Sequence, residues 1–191
     1  MNYLIIYAHP YEKSFNHAVL NALVQNLEDS HQNYEVIDLY KDHFNPAYDL
    51  EELRLFGSGQ TADPLVKKYQ DMIKKAERLV FIFPVWWSDL PAIVKGFIDK
   101  VMKKEFAYVA TKNGLRGTLT YINKAFVFTS ASSTKCFIKY FAGNAIEKTF
   151  IKTSLKQMGI NKGEWHHISF KTADTIQKRQ KYLADIAKVL R

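Results

Sequence analysis

Two short stretches carry residue types able to hold a ligand. Residues 9–16 read HPYEKSFN, and residues 84–91 read PVWWSDLP. The first leads from an apolar run into a helical pattern. The first turn of a helix leaves backbone N–H groups unpaired and carries partial positive charge, so it suits a phosphate. Ser14 and Asn16 add side-chain donors, and His9 can donate from either ring nitrogen. Ser14 also reads as an ordinary N-cap, a role compatible with facing an anion, and His9 as an ordinary turn residue. The second stretch sets Trp86 and Trp87 on a loop, where small polar residues are the rule. Two indoles there offer a floor for a flat ring system. The alternative is that both pack on the 41–62 segment or in a subunit interface.

Other constellations carry less. Neither G-x-G-x-x-G nor G-x-x-x-x-G-K-[ST] is present, which argues against a dinucleotide Rossmann site and a P-loop. His166 and His167 fall in a strand pattern and point to opposite faces, so no shared metal is expected. Cys136 has no identifiable base to activate it as a nucleophile, and as the single cysteine it has no disulfide partner, which favours a reducing compartment. MNYLIIYAHP lacks a basic n-region, and no apolar run approaches the roughly 18 residues of a membrane span. The expectation is a cytoplasmic protein with no membrane insertion. The net charge of +8 suits anionic partners or a merely basic surface. Its lysines are scattered, apart from a solvated stripe of Lys148, Lys152 and Lys156 at i, i+4, i+8, and no nucleic-acid module is recognisable.

The elements that must position these residues follow from periodicity. Apolar runs at 3–8, 34–40, 78–84, 124–130 and 164–170 read as strands, the first and third buried on both faces. Between them lie helical patterns. Ser14 caps the first, and Asp63-Pro64 opens the second. Pro91 opens the third, with Val94, Phe97, Ile98, Val101 and Met102 inward and Lys95, Asp99 and Lys103 outward. The fourth spans 144–158 and closes at Gly159. Asp174 caps the last, with Ile176, Leu183, Ile186, Ala187 and Leu190 on one face. Segments 41–62 and 104–123 read as long connections. With 191 residues, 47% hydrophobic and 24% charged, the chain suits one domain over 1–191. Regular β-α alternation predicts an α/β, flavodoxin-like doubly wound sheet of five parallel strands in order 2-1-3-4-5, with helices on both faces. Its ligand crevice lies between strands 1 and 3, where the two opening stretches meet.

H-P-x-x-x-S-F-N after the first strand, F-P-x-x-W-x-x-x-P-A-x-x-K-G-F-x-D-K-V after the third, and EFAY at 105–108 together resemble the NAD(P)H:quinone oxidoreductase family. That family comprises flavodoxin-fold flavoenzymes related to bacterial modulators of drug activity. The resemblance covers roughly residues 2–160, in matching order. It implies a non-covalent FMN or FAD and NAD(P)H as co-substrate. His9, Ser14, Phe15 and Asn16 would hold the flavin's phosphate end. Pro84, Val85, Trp86 and Trp87 would line its ring, with backbone N–H groups of the loop at the polar edge. Thr129, Ser130 and Ala131 would meet the flavin at the end of the fourth strand. Trp87 and Tyr108 would form the catalytic pocket, Trp87 as its wall and Tyr108 at its mouth. Hydride would pass in ping-pong fashion from nicotinamide to flavin to a quinone-like acceptor, in a homodimer with shared sites.

The chain departs from the family at 129–143. The usual Thr-Thr-Gly-Gly turn reads TSASS, and Phe137 and Gly143 stand where a tyrosine and a histidine near the flavin would be. Family relatives also serve as ancillary subunits of potassium-efflux systems, so a regulatory role with little turnover is the alternative.

Overall fold

The five apolar runs pair side by side in this computed structural model, which describes residues 1–190. β1 (Asn2–Tyr7), β2 (Asn33–Asp38), β3 (Arg78–Pro84), β6 (Lys124–Ala131) and β7 (Gly163–Ser169) form one parallel sheet in the order β2-β1-β3-β6-β7. Counting only these strands, this is the expected 2-1-3-4-5. Alternate side chains of β1 enter different layers. Tyr3, Ile5 and Tyr7 pack with α1 (Phe15–Asp29) and α6 (Ile176–Ile186). Leu4 and Ile6 pack with α3 (Pro64–Lys75), α4 (Ala92–Val101) and a π-helix, Ala145–Leu155. Among the described residues, no helix is long and apolar enough to cross a membrane.

Local chemistry sets the helix starts. Ser14 Oγ accepts from the His17 N–H at 3.2 Å, and Asp63 Oδ1 accepts from the Leu65 N–H at 2.9 Å with Pro64 at the first helical position. The last helix departs from expectation by one residue. Thr175, not Asp174, caps α6, and Asp174 pairs with Lys178 on the surface. Ile176 is therefore exposed, while Ile186 and Leu190 stay buried. The 144–158 helix forms with i→i+5 geometry, so its buried side chains Ile146, Phe150, Ile151 and Leu155 follow a wider spacing. Lys152 pairs with Glu147 at 2.9 Å instead of joining a free stripe. A short helix, α5 (Lys135–Tyr140), precedes it and has no counterpart in the sequence reading.

Both long connections are structured. Segment 104–123 holds an antiparallel hairpin, β4 (Tyr108–Thr111) and β5 (Gly114–Gly117). Segment 41–62 holds α2 (Leu50–Leu55) and a 3-10 turn, Phe56–Ser58. What orders the second is a pair of lysines at the end of α4. Lys103, expected to face water, is fully buried and pairs with the buried Glu52 at 2.8 Å. Its Nζ also donates to the Gln60 carbonyl at 2.9 Å. The other Glu52 oxygen accepts from Thr61 Oγ1, the Ala62 N–H and the Asp63 N–H. Lys100, also buried, pairs with Asp63 at 3.0 Å and donates to the Asn45 carbonyl at 2.8 Å. A buried charge is tolerated only when so fully satisfied. Gly96 completes the contact, because a Cβ there would lie 2.3 Å from the Pro46 carbonyl oxygen.

Burial alone would raise the Glu52 carboxyl, but the bonds from Lys103, Thr61, Ala62 and Asp63 outweigh it and bring it down to about 2. The group is thus depressed from an ordinary 4.5, and its contribution is present above that value and lost as pH falls toward about 2. Denaturant melts across this range are expected to show a smaller acid-dependent loss for Glu52→Gln than for the wild type. At neutral pH, Lys103→Ala is expected to lower unfolding free energy by about 3–5 kcal/mol, because it strands Glu52 in the core. Lys103→Met paired with Glu52→Gln should cost less.

Candidate functional site

β1 pairs with β3 and β3 with β6, so the carboxyl ends of these three strands lie side by side. Beyond them the chain supplies the 8–14 loop, the 85–91 loop and the 131–134 loop. The sequence-selected stretches at 9–16 and 84–91 are thereby brought to one edge of the sheet.

The first loop ends in α1. The N–H groups of Phe15 and Asn16 donate to no atom among the described residues. Ser14 caps the helix, so its cap role is realised. His9 Nδ1 accepts from the Tyr11 N–H at 3.1 Å, and burial pulls its pKa below the ordinary value. A neutral His9 with Nδ1 so engaged carries its proton on Nε2. Phe15 packs edge-on against Phe170. Asn16 is buried, and its Oδ1 accepts from Ser130 Oγ at 3.1 Å. This bond ties the start of α1 to the end of β6. Below it, burial pushes the Tyr7 phenol up while the nearby Ser14 hydroxyl opposes the shift, and Tyr7 Oη has no well-formed hydrogen bond.

The tryptophan loop is a tight turn. The Trp86 N–H donates to the Asp89 carbonyl at 3.1 Å, and the Asp89 N–H returns a bond to Trp86 at 3.0 Å. Between them Trp87 and Ser88 both have positive φ, +50° and +64°. Two successive left-handed residues suit Asn-Gly, not Trp-Ser. Backbone strain of this kind costs about 1–3 kcal/mol and clusters at ligand sites. Trp87 is fully exposed and Trp86 nearly half so. Neither is buried on the 41–62 segment of its own chain. Pro84 and Val85 are buried beneath them, and the Val85 N–H is held by the Ser130 carbonyl at 2.9 Å.

Beside the third loop, the Thr129 side chain turns into the protein. Its hydroxyl is buried and accepts from Trp165 Nε1 at 2.7 Å, with His167 Nδ1 also at 2.7 Å. The side chains of Thr129 and Ser130 are buried and hydrogen-bonded inside the protein. Only Ala131 reaches the cleft, which measures about 310 Å3 and is lined by Val85, Trp87, Ser88, Ala131, Ser132, Ser133 and Ile138. Ser88 carries no signal in the sequence as a contact, whereas the run of small hydroxyls SASS at 130–133 reads from sequence either as a flavin-edge contact or as a simple turn. The N–H groups of Trp87, Ser88, Ser132 and Ser133 make no hydrogen bond among the described residues. Tyr108 lies elsewhere. It starts β4 and lines a second cavity of about 450 Å3 with Asp89, Leu90, Phe150 and Met158. The 85–91 loop thus separates two cavities, with Trp87 on one and Tyr108 on the other.

Residues 1–190 match the model of a family described as having a flavodoxin-like fold. An NAD(P)H:quinone oxidoreductase from Methanothermobacter marburgensis is 30% identical and superposes with a TM-score of 0.82, over 99% of this chain and 94% of that one. The chain belongs to the NAD(P)H:quinone oxidoreductase family. Another similar structure, Smu.1420 from Streptococcus mutans UA159, is 31% identical with a TM-score of 0.85, over 99% of this chain and 98% of that one. An uncharacterized NAD(P)H oxidoreductase of Haemophilus influenzae is 37% identical over 115 residues, 60% of this chain and 56% of that protein. The match thus spans about half the length of this curated relative.

Ser130→Ala is expected to lower unfolding free energy by about 1–3 kcal/mol, because it leaves the buried Asn16 oxygen unpaired. Asn16→Ala with Ser130→Ala should cost less than the sum of the two single changes. Chemical denaturation of the three variants measures both effects.

Proposed function

We propose that the chain binds one flavin, FMN or FAD, without a covalent bond, and acts as an NAD(P)H dehydrogenase on quinones or similar two-electron acceptors. The observation that carries this is the set of unspent backbone donors, Trp87, Ser88, Ser132 and Ser133, around one cleft next to the open first turn of α1. The donors suit the polar edge of an isoalloxazine. Val85, Trp86 and Trp87 suit its flat faces. The Phe15 and Asn16 N–H groups suit a phosphate, with Ser14 and His9 at hand. The flavin, when bound, supplies the redox chemistry, taking a hydride from NAD(P)H and passing one to the acceptor in turn.

What the chain adds is orientation and shelter. The strained turn at Trp87 and Ser88 presents their N–H groups without a conformational search at the moment of binding. The Asn16–Ser130 bond fixes the phosphate end relative to the ring end. Trp87, free of contacts within the chain, is available to wall the acceptor's side of the cleft. Tyr108 faces a different cavity from Trp87 in one chain. The reading therefore takes a homodimer, in which Tyr108 of one copy serves the cleft of the other. Each chain works as one flavodoxin-like domain.

Incubation with excess FMN or FAD followed by desalting is expected to leave about one flavin per chain, read by absorbance and by mass analysis of the released cofactor. A protein that stays colourless would sink the proposal. Flavin retention without any NAD(P)H-driven acceptor reduction would instead favour the ancillary, regulatory role. Trp87→Gly relieves the left-handed strain, so its unfolding free energy should be no lower than that of the wild type. Its flavin occupancy should persist while acceptor turnover falls, which steady-state kinetics at equal occupancy measures.

Ser14→Ala is expected to weaken flavin binding by about 1–3 kcal/mol through loss of a hydrogen bond to a charged group. Loss of the cap alone costs typically about 1 kcal/mol and lowers the stability of the flavin-free protein. A phosphate role also shrinks the flavin-induced rise in melting temperature, because that rise tracks the dissociation constant. Equal rises in both proteins would leave Ser14 as a cap only.

A further inference from the structure

We propose that His167 is a positioning residue. As the neutral Nε2–H tautomer, anchored at Nδ1 by the Thr129 hydroxyl, it pins the Ser133 carbonyl and so fixes one wall of the cleft; protonation keeps the Nε2 donor but breaks the Thr129 anchor of the ring, and the wall loosens with it. The consequence for cofactor binding rests on the reading of the cleft as a flavin site, but the effect on the loop does not.

Trp165 and His167 sit two residues apart on β7, so their side chains share one face of the sheet. Trp165 Nε1 donates to Thr129 Oγ1 at 2.7 Å. An indole N–H can only donate, so the hydroxyl accepts there and keeps its own proton for another partner. That partner is His167 Nδ1 at 2.7 Å. Across the ring, His167 Nε2 lies 3.0 Å from the Ser133 carbonyl oxygen. A carbonyl can only accept, so Nε2 carries the proton. The donors therefore run in one sense: Trp165 to Thr129, Thr129 to His167, His167 to Ser133. A neutral imidazole completes this chain. An imidazolium does not, since Nδ1–H would face a hydroxyl that already accepts from Trp165. Thr129 would have to accept both N–H groups and turn its own proton into a buried space, which costs the desolvation of that group.

The loop held in this way is the cleft wall. Three successive carbonyls, those of Ala131, Ser132 and Ser133, accept from the Phe170 N–H at 2.9 Å, Ser169 Oγ at 2.9 Å and His167 Nε2 at 3.0 Å. The first two donors carry no titratable group, whereas the third belongs to one. Ser133 lines the cleft with Trp87 and Ser88. The surroundings of His167 oppose a positive charge. Burial pulls its pKa down, the bond to Ser133 opposes this, and Lys135 of α5 adds to the lowering. From α6, Lys178, Lys181, Tyr182 and Asp185 line the shallow pocket that His167 also borders. His166 points to the other face and stacks on Phe128. With a folded pKa below the ordinary 6.5, the neutral form holds at pH 7, and its contribution declines as pH falls below that value.

The test uses the full chain without added cofactor first. Nitrogen-15 spectra are expected to show His167 as the Nε2–H tautomer, identified by its absence in His167→Gln. Amide signals of Ser132, Ser133 and Thr134 should titrate with the His167 midpoint in the wild type. They should not do so in His167→Gln, whose amide can still donate to the Ser133 carbonyl. An Nδ1–H tautomer, or loop amides indifferent to the His167 midpoint, would overturn the proposal whether or not flavin binds. Titration with FMN then reads the consequence. Between pH 8 and a pH below the His167 midpoint measured in those spectra, the wild type should lose about threefold or more in affinity relative to His167→Gln. The phosphate's own ionisation near pH 6 is common to both proteins and cancels. His167→Phe, compared at a temperature where it remains folded, should bind FMN weakly at both pH values. Equal pH dependence in the wild type and His167→Gln overturns the link to cofactor binding. Failure of every variant to bind FMN or FAD, with the loop still titrating, overturns the flavin reading and upholds the hold on the loop.

Discussion

Parallel pairing of β1 with β3, and of β3 with β6, obliges the chain to leave the sheet at the same edge three times. The register brings Tyr7 opposite Ile82 and Pro84 opposite Ser130, so the strands finish within a few residues of one another. No tight turn can join parallel neighbours, and each loop must climb into a helix before returning. The loops that follow these strands are therefore free of a hairpin's geometric demands while being fixed at their roots. Between β1 and β3 the chain turns away in opposite directions, and a crevice opens there. The Asn16–Ser130 bond spans this crevice, joining elements 114 residues apart in sequence. Everything proposed for the cleft presupposes that these roots do not shift.

The two helical layers do different work. On one face, α1 and α6 cover the sheet with ordinary apolar contacts, and α1 brings its open first turn to the crevice. On the other, α4 combines an apolar face with two buried lysines that hold down a connection with little core of its own. Removing the charges from water carries a large cost, and the structure meets it with the Glu52–Lys103 pair itself and four hydrogen-bonding groups around it. The result is a fixed floor beneath Tyr108 and the second cavity, which Lys103 also borders.

The sheet was legible because its strands are buried on both faces, which leaves an unbroken apolar signature in β1, β3 and β6. The caps at Ser14 and Asp63 were legible because they act over two or three residues. What escaped depends on distant partners. Lys103 looks like a solvent-facing helical residue until Glu52, 51 positions away, meets it. Thr129 looks like a site hydroxyl because the run TSASS spans the last residues of β6 and the loop, and only the pairing with Trp165 and His167 separates the two. The helix α5 is six residues long with Phe137, Tyr140 and Phe141 exposed, so it has no inward periodicity to read. Residue types and the doubly wound strand order located the tryptophan loop, but the left-handed backbone under Trp87 is invisible in residue types that ordinarily avoid it.

The lysine anchors also bear on the order in which the molecule assembles. Lys103 reaches across 51 residues to Glu52, and Lys100 across 55 to Asn45. Neither bond can form before α4 exists and lies against the sheet. Segment 41–63 gives the core only Phe44 and leaves Leu50 and Leu53 exposed, so its docking follows the collapse of the sheet and helices instead of guiding it. Late contacts of this kind slow unfolding more than they speed folding. They also define a unit that can detach while the sheet stays intact, with exchange protection set by the anchors and not by the core. A protein built in this way can open beneath its second cavity without losing the crevice at the sheet's edge.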